Sequence, residues 1–86
     1  MAQKNPFHRE TTIRYVVPGA RHVSLRVHNV AGRLVRTLLD GKVPAGPGLV
    51  RWDGRDARGK VVSSGIYFYR LDDGERTLTR TAVLLR

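Results

Sequence analysis

An all-β chain folded as a small antiparallel sandwich or barrel is predicted by three observations. Short segments of apolar–polar alternation recur at roughly 8–12-residue spacing, turn residues separate them, and no stretch carries a long helical pattern. From Thr11 to Val17, Ile13, Tyr15 and Val17 fall on one side and Thr12, Arg14 and Val16 on the other, the period of a half-buried strand. Pro18-Gly19 ends it. His22 to Asn29 repeats the pattern with Val23, Leu25 and Val27 opposite His22, Ser24, Arg26 and His28. Asn29 and Gly32 then bracket a turn, because Asn bonds the backbone ahead of it and Gly accepts positive φ.

Arg33 to Leu39 fits two periods: Leu34, Val35, Leu38 and Leu39 also share a helical face, but close turn residues on both sides favour a strand. Gly41 to Gly48 holds Gly41, Gly46, Gly48, Pro44 and Pro47, a density that predicts no regular element. A strand resumes at Leu49 to Trp52, followed by the loop Asp53 to Gly59 and a short edge pairing at Val61 and Val62. In Ile66 to Leu71 both alternating sets are apolar or aromatic, which predicts a central strand covered on both faces. Asp72 to Glu75 is an Asp-Gly hairpin turn, and Arg76 to Leu85 supplies the last strand. About seven short strands result, and an immunoglobulin-like sandwich is the leading arrangement. Its expected core is Trp52, Tyr67, Phe68, Tyr69, Val23, Leu25 and Val27, each aromatic ring hiding on the order of 150–250 Å².

Composition bounds what such a domain does. Eighty-six residues make one thin-cored domain that buries only about 60–65% of its unfolded surface. No Cys is present, which removes disulfides, thiolate metal sites and a cysteine nucleophile. No apolar run approaches the roughly 20 residues of a membrane helix, and Met1 to Asn5 are polar, so neither a signal peptide nor a transmembrane helix is expected. The chain is then cytosolic or a piece of a larger exported one.

Several motifs follow in order: Asn5-Pro6-Phe7, Thr12-Ile13-Arg14-Tyr15, Asn29-Val30-Ala31-Gly32, Trp52-Asp53-Gly54-Arg55-Asp56, Ser64 to Leu71, and Ala82 to Arg86. Together they resemble a C-terminal sorting domain of the type IX secretion system, a pattern shared with the Ig-like domain of the flagellar hook-capping protein. The resemblance spans Asn5 to Arg86 and makes Met1 to Lys4 a linker or added residues. It implies a non-enzymatic module that sorts a secreted bacterial protein and anchors it at the cell surface, with secretion machinery or another protein as partner. Ala82, Val83, Leu84, Leu85 and Arg86 match the last strand that carries much of the export signal. Two features depart from the family pattern: His8-Arg9-Glu10 follows the opening motif, and Arg is unusually frequent.

The remaining polar clusters have plain structural explanations. Asp53 and Asp56 lie three residues apart among glycines, but Arg55 and Arg58 put positive charge into any cation cage, so a turn closed by Asp side chains is expected. His22 and His28 on one strand stand about 20 Å apart, too far to share a metal, and His8 is an unsupported third ligand. His28 with Asp40, or Ser63 with Ser64, lacks a nucleophile elbow. No cofactor is implied.

Sixteen Lys plus Arg against seven Asp plus Glu give a net charge of +9. Arg14, Arg26, Arg36, Arg51, Arg70, Arg76 and Arg80 fall in expected strands and would form a basic stripe. An anionic surface glycolipid, another polyanion, or nucleic acid are the partners such a stripe suits. Most of the aromatic residues are assigned to the core, leaving no base-stacking platform. A self-assembling or hook-cap-like structural module is the alternative to sorting, and high charge also keeps a small β protein soluble.

Overall fold

The computed structural model describes the backbone of residues 5–7 and all of residues 9–85. The expectations for Met1 to Lys4, His8 and Arg86, and for the side chains of Asn5 to Phe7, lie outside the described residues. Among the described residues seven strands form: β1 (Asn5–Phe7), β2 (Thr11–Val17), β3 (Arg21–Asn29), β4 (Leu34–Val43), β5 (Gly46–Trp52), β6 (Gly65–Asp72) and β7 (Thr77–Leu84). Five make one sheet in the order β1-β7-β6-β3-β4, and β2 with β5 makes the other. Every pairing is antiparallel except the first, in which β1 runs parallel to β7 with Asn5 opposite Ala82. An all-β immunoglobulin-like sandwich is therefore the fold.

Turn chemistry fixes the connections. At the β3–β4 turn Asn29 Oδ1 accepts from the amides of Ala31 and Arg33, each at 3.0 Å, while Gly32 takes φ of 80°. At the β6–β7 turn Asp73 Oδ1 accepts from Glu75 N at 2.9 Å and Arg76 N at 2.7 Å. Both carboxamide and carboxylate do locally what a longer loop would need many residues to do.

The core occupies the space between the sheets. Trp52 is fully buried, its ring 5.2 Å from that of Tyr67 at 66° and 6.1 Å from that of Tyr69 at 84°, the edge-to-face geometry aromatic quadrupoles favour. Leu25, Val27, Ile13, Ala82 and Leu84 complete this cluster, and Val17, Val23 and Val43 form a second at the other end. At roughly 25 cal/mol per Å², a buried ring of Trp52's size contributes about 4–6 kcal/mol of transfer free energy.

Three expectations are corrected. The Gly41–Gly48 segment is regular after all: β4 runs on to Val43, β5 starts at Gly46, and only Pro44 and Ala45 connect them. Pro47 lies on β5, which has one open edge, where a missing N–H costs least. Gly48 lies directly opposite Tyr15, and a Cβ there would collide with the Tyr15 ring, so the glycine makes room for the aromatic that covers it. Second, β6 is central in its sheet but covered on one face only. Tyr67 and Tyr69 are buried, Ile66 is exposed and Phe68 is half-buried. Phe68 thus leaves the core list, because it shares the outer face with His28, its cross-strand partner. Third, the sheet is not wholly antiparallel, as β1 shows.

Candidate functional site

The loop after Trp52 is the most heavily bonded irregular segment. Asp53 Oδ1 accepts from Arg55 N at 3.1 Å and from an Arg36 guanidinium nitrogen at 2.7 Å. Asp56 Oδ1 accepts from the amides of Arg58 at 2.9 Å and Lys60 at 3.0 Å. The Trp52 indole N–H donates to the Arg55 carbonyl at 2.9 Å, and the Ala57 amide reaches the Val35 carbonyl at 3.2 Å. Arg55 itself donates to the Gly59 carbonyl at 2.8 Å. This is the turn closed by Asp side chains that the sequence predicts, and it locks Trp52 against β4. The bond from the Lys60 amide, more than any other influence, holds the Asp56 carboxyl below its usual range. Asp73 is lowered in the same way, chiefly by the Arg76 amide. Among the described residues no group of three or more His, Asp or Glu stands close enough to hold a metal ion.

The arginines do not form one stripe. Arg14 and Arg51 stand exposed on the outer face of β2 and β5. Arg26 and Arg70 lie opposite each other on the outer face of the five-stranded sheet, where Arg26 also meets Asp40 at 3.6 Å. Arg36 is held by Asp53 at 2.7 Å. Arg76 sits in the β6–β7 turn, and Arg80 pairs with Tyr69, which places it on the inner face of the large sheet. Strand alternation identifies exposed arginines but not which sheet carries them, so charges adjacent in the pattern end on opposite surfaces.

The last strand is likewise redistributed. Ala82 and Leu84 are fully buried and cannot be presented to a partner, whereas Val83 is half-buried and Leu85 is 43% exposed. Nor does β7 provide an edge there, because β1 pairs along Ala82 to Leu84. Among the described residues the open edges are those of β1, β4, β2 and β5, together with the part of β7 that precedes Ala82. Arg86 lies outside the described residues.

Sequence reasoning missed the His22–Asp40 pair, with Nε2 and Oδ1 2.6 Å apart on the exposed face. It named His28 with Asp40 only as a pair that lacks a nucleophile elbow. Only the β3–β4 register, which puts Ser24 opposite Asp40 and His22 opposite Lys42, reveals the diagonal contact. One buried polar atom also escaped the pattern: no group meets the Tyr69 hydroxyl at good hydrogen-bond geometry, and burial pushes its pKa up, against the smaller lowering influence of the nearby Thr11 side chain.

Beside β2 the two sheets part to leave a largely apolar groove of about 370 Å³, to which the large sheet contributes Leu71, Leu78 and Arg80. Among the described residues no helix is long and apolar enough to cross a membrane.

The fold, the bonded loop after Trp52 and the absence of helices among the described residues define an immunoglobulin-like β-domain. The chain belongs to the FlgD Ig-like domain family, whose model matches residues 8–75. No curated protein matches it. Among solved structures, dimeric latent PorU from Porphyromonas gingivalis matches 94% of this chain and 8% of that one at 20% identity, with a TM-score of 0.74. FlgD from P. aeruginosa matches 84% of this chain and 59% of its own at 22% identity and a TM-score of 0.69. PorZ, an essential surface component of the type IX secretion system of Porphyromonas gingivalis, matches 87% of this chain and 11% of its own at 19% identity and a TM-score of 0.58. The chain thus spans less than two thirds of each of these proteins, and at such identities the likeness shows the fold alone.

Proposed function

We propose that this domain is a non-enzymatic sorting and anchoring module of a secreted bacterial protein, recognised by type IX secretion machinery and displayed at the cell surface. The observation that carries the reading is the likeness of nearly the whole chain to part of PorU. It is joined by the motif order from Trp52-Asp53-Gly54-Arg55-Asp56 to the SGIYFYRL segment ending at Leu71. In this reading Val83, Leu85 and Arg86 make the contact at the end of β7, while Ala82 and Leu84 hold that strand in the core. The exposed arginines offer an anionic surface glycolipid a second point of attachment. Nucleic acid is the lesser alternative, and its binding would fall about 10³- to 10⁵-fold between 50 and 200 mM salt if six to ten arginines met phosphates.

The experiment is a fusion. Residues 5–86 are appended to a periplasm-directed reporter in a type IX host, and surface reporter is measured with and without the domain. Export that depends on the domain supports the proposal, and export that is unchanged without it overturns it.

A second reading, a structural assembly module, is favoured by the family match to the FlgD Ig-like domain. Sedimentation across a concentration series separates the two: discrete higher oligomers support assembly, and a persistent monomer supports sorting.

A further inference from the structure

The two sheets are unequal, and the difference leaves a strand-shaped space. β2 pairs with β5 and, among the described residues, with no other strand. In an antiparallel pair alternate residues turn their N–H and C=O groups away from the partner, so Thr11–Val17 keeps a row of unpaired backbone groups along its far side. Below that edge the inner face of β6 and β7 continues without a covering layer. All of Thr77 to Arg80 is exposed, Leu78 by 50%, and Val16 on the edge itself by 72%. Strands neighbour each other at roughly 4.7–4.9 Å and sheets stack about 10 Å apart, so a strand placed beside β2 would lie over Leu71 and Leu78.

The charges at this groove identify what enters it. Arg14 and Arg80 line it, and no carboxylate does. Neither arginine forms an ion pair among the described residues, in contrast to Arg21, Arg26 and Arg36. A second copy of this chain would bring a further +9 to a basic surface, which disfavours self-pairing. We propose that the groove receives an extended acidic segment of another protein, added to β2 as a third strand of the small sheet. Main-chain bonds to β2 hold the segment, alternate apolar side chains rest on Leu71 and Leu78, and its carboxylates meet Arg14 on the β2 side of the groove and Arg80 on the β7 side. This inference stands apart from export: a chain that carries no reporter across the membrane would still bind such a segment.

The test uses the 86-residue protein and an end-blocked eight-residue peptide alternating Val and Glu. Binding is followed by titration, and residue-level hydrogen exchange reads the β2 amides. The expected result is saturable one-to-one binding, slowed exchange in β2, and at least about tenfold weaker affinity in Leu78→Asp and Arg80→Glu. Both side chains are exposed, so these variants keep the fold, which their unfolding midpoints verify. N-methylating alternate peptide residues on the face that meets β2 removes the strand bonds and abolishes binding. Equal binding of the N-methylated peptide, equal binding of a Val/Lys peptide, or unchanged β2 exchange overturns the proposal. So does protection of the β2 edge in the free protein, whether by its own residues or by a second copy.

Discussion

Around Trp52 both sheets are present, three rings meet edge to face, and the following loop ties its backbone to β4 through the Ala57 amide. Beside β2, the same large sheet runs on with its inner face open, and Leu78 and Arg80 stand in solvent where Ala82 and Leu84 of the same strand are sealed. The comparison shows how a domain this small distributes its stability. The few large side chains are concentrated at one end, and the other is left as surface that a partner can complete.

The contrast is broken most severely at Trp52. Trp52→Ala removes the ring that Tyr67 and Tyr69 both contact and should cost about 3–5 kcal/mol, a large share of a small domain's stability, measured as a fall in the urea midpoint. Gly48→Ala comes next. The added methyl forces the Tyr15 ring off β5 and should cost about 1–3 kcal/mol, and pairing it with Tyr15→Ala should recover part of that loss in a double-mutant cycle. Tyr69→Phe sharpens the account of the core. It deletes a buried hydroxyl that no group meets at good hydrogen-bond geometry, so thermal unfolding should stay within about 1 kcal/mol of the parent or move upward.

Leu78→Ala, at an exposed groove position, should change stability by no more than about 0.5 kcal/mol in the same assay. The acid limb is the finest test. Asp56 and Asp73 have folded pKa values below the ordinary 3.8, so each contributes stability that is present above that pH and lost as pH falls through the lowered value. Asp56→Asn with Asp73→Asn keeps the acceptor oxygens but removes the charge, and should flatten the loss of stability measured below about pH 4.

Much of the architecture was legible because its causes are local. Alternation in Thr11–Val17 and in His22 to Asn29 assigned the inner faces correctly, and Asn29, Asp56 and Asp73 announced turns that their side chains do close. The Gly- and Pro-rich stretch was misread because edge strands tolerate residues that a central ladder does not. Phe68 was misread because an aromatic side chain looks the same whether a second sheet covers it or solvent does. The candidate surface was the least legible part, since Arg14, Arg70 and Arg80 differ in sheet and face rather than in residue type or spacing.

The sequence by itself determined most of the strands, their turns and the rings that fill the interior, because alternation and turn chemistry act over a few neighbouring residues. Only the tertiary structure decided that the second sheet has two strands among the described residues, that β1 closes the end of the β7 edge, and that Leu78 is bare while Leu84 is sealed. Those outcomes depend on which surfaces meet across long separations in the chain, and a side chain's burial is a property of the element laid over it.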